Sequence, residues 1–180
     1  MPRTRAAARV RIRPWAGEDA AALHRLVQAS RAGLSPWLAW CRDGYAPADA
    51  EAWIAHAMQG WATRSAFAFA VVDDAGTLVG GSGLNQLVPG RRSANLGYWT
   101  GSAFTGRGIA REAARQTARF GFDEVGLQRI EIRVLPGNTA SIKVAEALGA
   151  TREGLARNGL IDGGTPRDAV LLSLIPADLA

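Results

Sequence analysis

The chain is short of the residues that most often carry metal and redox chemistry. It has one cysteine, Cys41, one lysine, Lys143, and two histidines, His24 and His56. A lone cysteine excludes an intramolecular disulfide and suits a reducing compartment. Two histidines without Cys/His spacing give no zinc motif, and no metal is expected. No apolar run is long enough to cross a bilayer. The opening Met1-Pro2-Arg3-Thr4-Arg5-Ala6-Ala7-Ala8-Arg9 lacks the apolar stretch of a signal peptide. A cytoplasmic location without membrane contact is the expectation. Internal repeats, low-complexity tracts and linkers are also missing. The 180 residues are therefore read as a flexible segment over 1–8 and a single domain over 9–180.

What is abundant is arginine and alanine. The formal net charge of +5 comes from arginines spread along the chain, not bunched into one tract. That spread reads as compositional bias, and no direct nucleic-acid contact is expected. Apolar residues make up 48% and charged residues 21%, ordinary for a globular protein.

Periodicity supplies the elements. Val10–Trp15 alternates and predicts a first strand. A helix follows to about Ser30, with Ala22, Leu23, Leu26 and Val27 on its apolar side. A second helix opens on Pro47 and runs to about Arg64, with Trp53, Ile54, Ala57, Met58 and Trp61 inward. Phe67–Val72, Leu78–Leu84 and Ala94–Trp99 predict three antiparallel strands. A helix from about Gly108 to Glu124 carries Ile109, Ala113, Thr117 and Phe120 on one stripe. Arg129–Val134 alternates clearly. A helix over Thr139–Leu148, with Ala140, Val144, Ala147 and Leu148 inward, ends at Gly149. Two strands close the chain, the last being Ala169–Leu174.

The stretch Gly97-Tyr98-Trp99-Thr100-Gly101-Ser102-Ala103-Phe104-Thr105-Gly106-Arg107-Gly108-Ile109-Ala110-Arg111 runs from a strand end through a small-residue loop into a helix. Without side chains at Gly106 and Gly108, backbone N–H groups can converge on an anion. The helix opening adds unpaired N–H groups and the positive end of its dipole. Walker A chemistry needs Gly-Lys-Ser/Thr, which is absent, and a dinucleotide fingerprint needs glycine where Arg111 stands.

The loop resembles the pyrophosphate loop of the GNAT N-acetyltransferases, Gln/Arg-x-x-Gly-x-Gly/Ala, with Thr105 in place of the first residue. The segment from Asn138 through Ser141, Leu148-Gly149 and Glu153-Gly154 resembles the RimJ/RimL branch, which acetylates N-termini of ribosomal proteins. Gly97-Tyr98-Trp99, Trp37/Trp40 and Arg167-Asp168 match the same branch, while Ala150 departs from its usual Phe. The order of elements resembles that family from about Val10 to Leu174. The resemblance implies an α+β fold: a mixed, mostly antiparallel sheet with a splayed parallel pair and helices on both faces.

The resemblance also implies acetyl-CoA as donor and a primary amine as acceptor, most readily a protein N-terminal α-amine. The pyrophosphate would sit on the N–H groups of Gly106, Arg107, Gly108, Ile109 and Ala110, with Thr105 and Arg111 flanking. The pantetheine arm would pair with Tyr98, Trp99 and Thr100 like an added strand. A backbone N–H at Leu96 or Gly97 would polarise the thioester carbonyl. Asn138 would hold the arm, or cap its helix. Many relatives place a tyrosine acid where Ala145 stands. Ser141, one turn earlier, is the remaining donor toward the leaving thiolate. For the base the chain offers Glu153, Asp162, Asp168 or water, since Asn95 replaces the usual strand carboxylate. Arg107, Arg111 and Arg115 share a helix side, the first best placed for phosphate and the last best read as solvated. Trp37, Trp40 and Tyr98 would line the acceptor groove, and packing in the core is the other use for each. Two alternatives stay open: a small-molecule amine acetyltransferase, and a non-catalytic acyl-CoA-binding or RNA-associated protein of the same fold. A homodimer is compatible with either.

Overall fold

A computed structural model describes residues 9–180; the segment 1–8, expected to be flexible, lies outside the described residues. Among the described residues, seven strands form one sheet in the order β1-β2-β3-β4-β5-β7-β6. They are β1 (Val10–Pro14), β2 (Phe67–Asp73), β3 (Leu78–Val88), β4 (Ser93–Thr100), β5 (Arg129–Val134), β6 (Thr151–Asp162) and β7 (Thr165–Leu174). Every neighbouring pair is antiparallel except β4 and β5, which run parallel. Helices α1 (Ala20–Leu34) and α2 (Pro47–Thr63) cover one face, and α3 (Ile109–Asp123) and α4 (Thr139–Leu148) the other. The mixed sheet with helices on both faces is the fold expected.

Strand alternation sorts the side chains. On the α3/α4 face, Phe67, Leu84, Leu96, Ile130, Ile132, Leu172 and Leu174 are buried in one cluster. Each such side chain contributes about 1.5–3 kcal/mol of apolar burial. Trp61, Phe67, Phe69 and Phe120 pack with ring centroids 5.0–5.4 Å apart, mostly edge to face. Trp61 joins this cluster from α2, where its indole N–H donates to the Ala68 carbonyl at 2.8 Å. On the other face Trp15, Leu23, Val27, Tyr45, Ile54 and Val72 pack together.

Two helices are rotated from their predicted faces. In α2, Ala50, Ile54, Ala57 and Gly60 are buried, while Trp53 and Met58, expected inward, are exposed. The helix presents small residues so that it can approach closely: a Cβ on Gly60 would lie 3.2 Å from Ala66. Bulky side chains are displaced to its flanks. In α4 the buried set is Ile142, Ala145 and Leu148; Ala140 and Ala147 are exposed and Val144 half-buried. Alanine and valine suit either face of a helix, so composition did not fix its rotation. Elsewhere the extents grow: α1 continues to Leu34, β3 to Val88, and β7 begins at Thr165.

Helix ends are set by local chemistry. Pro47 opens α2, and the Asp49 carboxylate accepts the Ala46 N–H at 2.7 Å. Asn138 caps α4 by accepting the Ser141 N–H at 3.1 Å, and Gly149 ends it at φ 102°.

Candidate active site

The parallel pair is short. β4 and β5 are in register only over Ser93–Asn95 and Arg129–Glu131. Beyond that the strands part: β4 continues along β3 to Thr100, and β5 along β7 to Val134. Among the described residues, the stretch Leu96–Thr100 therefore has no ladder partner on its β5 side. Leu96, whose side chain is buried in the core, is the first residue past the fork.

At the far end of β4 the chain makes a single 3-10 turn, Ser102–Phe104, and enters the glycine loop. Ser30 of α1 fixes the turn, its hydroxyl accepting the Ser102 N–H at 3.0 Å. Gly106 and Gly108 take φ 70° and 76°, left-handed values that favour glycine. The N–H groups of Gly106, Arg107, Gly108, Ile109, Ala110 and Arg111 find no acceptor among the described residues. The first helical bond is Glu112 N–H to Gly108 C=O at 3.0 Å. Consecutive free donors at a helix N-terminus form an anion site. Ile109 itself is buried against Val10, Val71 and Val79, which anchors the loop. Thr105 turns inward locally, donating to the Ser102 carbonyl at 3.0 Å. Arg107 folds back, donating to the Ala103 carbonyl at 2.9 Å with its guanidinium over the Phe104 ring. Arg111 is exposed. Arg115, read as solvated, is half-buried, and its Nε lacks a partner among the described residues. The Thr100 hydroxyl, also buried and without a partner there, stands where the unpaired edge of β4 ends. An amide-bearing chain ending in a pyrophosphate fits this cradle.

Across the fork, Tyr98 reaches from β4 to the first turn of α4. Its hydroxyl donates to the Ser141 carbonyl at 2.8 Å, and the Ser141 Oγ donates to the Tyr98 oxygen at 3.3 Å. Burial pushes the Tyr98 phenol up to about 12, so it stays protonated at neutral pH. Asn138 uses its oxygen for the cap, and its amide NH2 has no acceptor among the described residues. Ala145 is fully buried.

The carboxylates separate. Glu153 lies at the paired end of β5, gripped by Arg129 at 2.6 and 2.7 Å and by the Ser173 hydroxyl at 2.6 Å. These partners hold it down to about 2, and it sits away from the open end of the fork. Asp162 and Asp168 line a cavity of about 540 Å3 with Trp37, Gly137 and Arg167. Asp168 there accepts the Asn158 N–H at 2.9 Å.

A large cavity, about 650 Å3, lies on the α1/α2 side of β3 and β4. Gly81, Gly83 and Gly97 form its floor, and Trp15, Trp40, Tyr45, Trp53 and Trp99 its walls. Trp40 meets Trp99 edge-on at 5.7 Å. Trp37 and Trp40, taken together in the sequence, thus serve two different cavities. Tyr98 borders this one while its hydroxyl points to α4. The walls come from four separate elements, which sequence reasoning missed. The available signal was glycine at alternate positions, 81 and 83, inside a strand. Asp49 is the one carboxylate among the described lining residues, and it is committed to Arg42 at 3.2 Å and to the Ala46 N–H. Asn95 donates to Asn85 at 3.0 Å just below.

Residues 9–151 match the acetyltransferase (GNAT) domain family. A Bacillus subtilis protein named for ribosomal N-acetyltransferase activity, YdaF, is 32% identical over 171 residues, 92% of this chain and 91% of that protein. The [ribosomal protein uS5]-alanine N-acetyltransferase of Escherichia coli is 31% identical over 116 residues, 63% of this chain and 60% of its own length. Among solved structures, Mycobacterium smegmatis RimJ in complex with CoA-disulfide superposes with a TM-score of 0.86 at 30% identity, covering 96% of this chain and 85% of that one.

Proposed function

The chain belongs to the GNAT acetyltransferase family, and from that premise we propose that it moves the acetyl group of acetyl-CoA onto a protein N-terminal α-amine. The observation that carries this reading is the state of the carboxylate in the large cavity. Asp49 is held by Arg42 and by its own helix start, and amides stand at 85 and 95 where a base would serve. An α-amine, with a pKa of about 7.7–8.0, is partly neutral at physiological pH without help, whereas an alkylamine near 10.4 is almost wholly charged. With that carboxylate committed, the His56 imidazole is the remaining basic group on the wall besides Arg42 among the described lining residues, and an acceptor that is already partly neutral asks least of such a site. The names of the relatives in Bacillus subtilis and Escherichia coli favour the same acceptor class.

Acetyl-CoA supplies an activated thioester. The residues of this chain do the rest. The free N–H groups from Gly106 to Arg111 bind the pyrophosphate, and the unpaired edge of β4 holds the amide-bearing arm. A backbone N–H at Leu96 or Gly97 polarises the carbonyl that the amine attacks. The Asn138 NH2 steadies the arm. Ser141 turns its one hydroxyl hydrogen from the Tyr98 oxygen toward the departing sulfur, while Tyr98, protonated and donating to the Ser141 carbonyl, keeps the first turn of α4 in place. The proton leaving the amine passes to water or to Asp162 or Asp168, which line the second cavity.

The test is a pH–rate profile at saturating acetyl-CoA, with peptides and with spermidine as acceptors. Peptide kcat/KM should rise as pH climbs through the pKa of the peptide's own α-ammonium, freeing the neutral amine, and should exceed the spermidine value at neutral pH. Efficient spermidine acetylation beside unreactive peptides overturns the reading.

A further inference from the structure

One glycine in the large cavity is explained neither by backbone nor by packing. Gly97 sits inside β4, where glycine weakens a strand. Its φ is not in the left-handed range, and a Cβ built there meets nothing within 4 Å among the described residues. The other two floor glycines differ. A Cβ on Gly81 would strike the Trp99 indole nitrogen at 2.6 Å, and one on Gly83 the Phe67 carbonyl at 2.9 Å. At position 97 what the missing side chain preserves is open space above the sheet, beside the fork where the donor's acetyl group is proposed to lie.

That space has about 650 Å3 and indole or phenol walls. Its size falls among pockets that take drug-sized ligands, about 300–1,000 Å3. The methyl group of an N-terminal alanine would leave most of it unfilled, forfeiting contact along every wall. Burial raises the Tyr45 phenol to about 12, so this wall stays neutral, and Asp49 is already paired with Arg42. Apart from Asp49, Arg42 and the His56 imidazole, the walls of the cavity offer flat apolar area.

We infer that the acceptor amine is borne by a bulky, flat or branched apolar group, which on a peptide is its first side chain, seated over Gly97 among Trp15, Trp40, Trp53 and Trp99. This rests on the N-terminal reading above for its peptide form only. The experiment measures kcat/KM at fixed acetyl-CoA for peptides differing solely in the first residue: Phe, Leu or Met against Ala or Ser. Phenethylamine and ethylamine form a parallel series. The wild type should favour the bulky acceptors on the order of tenfold or more. Gly97→Val, which fills the cavity from its floor, should cut the bulky-to-small ratio at least tenfold in a protein shown folded by its melting curve. Trp53→Ala, at an exposed wall, should lower the same ratio and serves if Gly97→Val does not fold. Ala- or Ser-starting peptides used ahead of the rest overturn the inference, as does an equal loss across all acceptors in the variants. Silence in both series overturns it as well. Unreactive peptides beside a strong preference for phenethylamine over ethylamine would sink the N-terminal reading and leave this inference standing.

Discussion

The two sides of β4 are built from different materials. On the side proposed for the donor, the site is a run of backbone N–H groups from six consecutive residues, Gly106 to Arg111, with hardly a side chain involved. On the side proposed for the acceptor, the cavity is made of side chains drawn from β1's end, the α1–α2 connection, α2 and β4. A backbone cradle is local in the chain and tolerant of sequence, provided glycine allows the turn. An aromatic cavity is non-local and changes with each residue. One fold can therefore keep its donor while its acceptor varies.

The sharpest way to break this contrast is a reciprocal pair of variants. Gly108→Asp puts a negative charge among the loop donors. There is room for the side chain, and aspartate tolerates the left-handed φ better than most residues, so the fold should survive. Acetyl-CoA affinity measured by calorimetry should fall about a hundredfold. Trp40→Ala should do the reverse, lowering peptide kcat/KM about tenfold while the calorimetric affinity for acetyl-CoA stays within error. Unchanged coenzyme binding by Gly108→Asp would remove the phosphate-loop assignment.

An effect below that of Gly108→Asp, and confined to turnover, is expected where the two sides meet. Ser141→Ala should reduce kcat about tenfold, equivalent to about 1.4 kcal/mol of transition-state stabilisation, with little change in coenzyme affinity. Equal kcat values would make Ser141 a structural residue of the α4 cap.

The smallest effect lies outside both regions and serves as their control. Glu153→Gln should leave turnover alone and cost about 1 kcal/mol of stability at pH 7, a modest figure because the pair is partly solvated. The folded-state carboxyl lies below its usual 4.5, at about 2. Its contribution is therefore present above about pH 4.5 and is lost as pH falls through 2. Urea midpoints of variant and wild type should converge over that window.

What could be read from the sequence follows the same division. The strands, the glycine loop and the α4 cap were legible because each depends on neighbours in the chain: alternation, positive φ at Gly106 and Gly108, and Asn138 three residues before Ser141. The rotation of α2 was not. Trp53 looks like core to any hydrophobic count, yet the close approach at Gly60 turns it outward to the cavity wall. Glu153, a candidate base by composition, proved to belong to an ion pair across β5 and β6 that only the register reveals. The hydrogen bonds joining Tyr98 and Ser141, 43 residues apart, carry no local signal at all.

The fork itself has a consequence for the lifetime of the protein. The backbone ladder that joins strands β1–β4 to β5–β7 is three residue pairs long. On the proposed reading, the coenzyme's arm extends that seam, acting as the sheet's missing stitch. Mass action then couples donor supply to endurance: at a hundredfold excess over its Kd, a ligand bound only by the folded state adds about 2.7 kcal/mol against unfolding. A cell short of acetyl donor would hold this protein in its loosest form, most open to proteolysis, at the moment it has least to transfer.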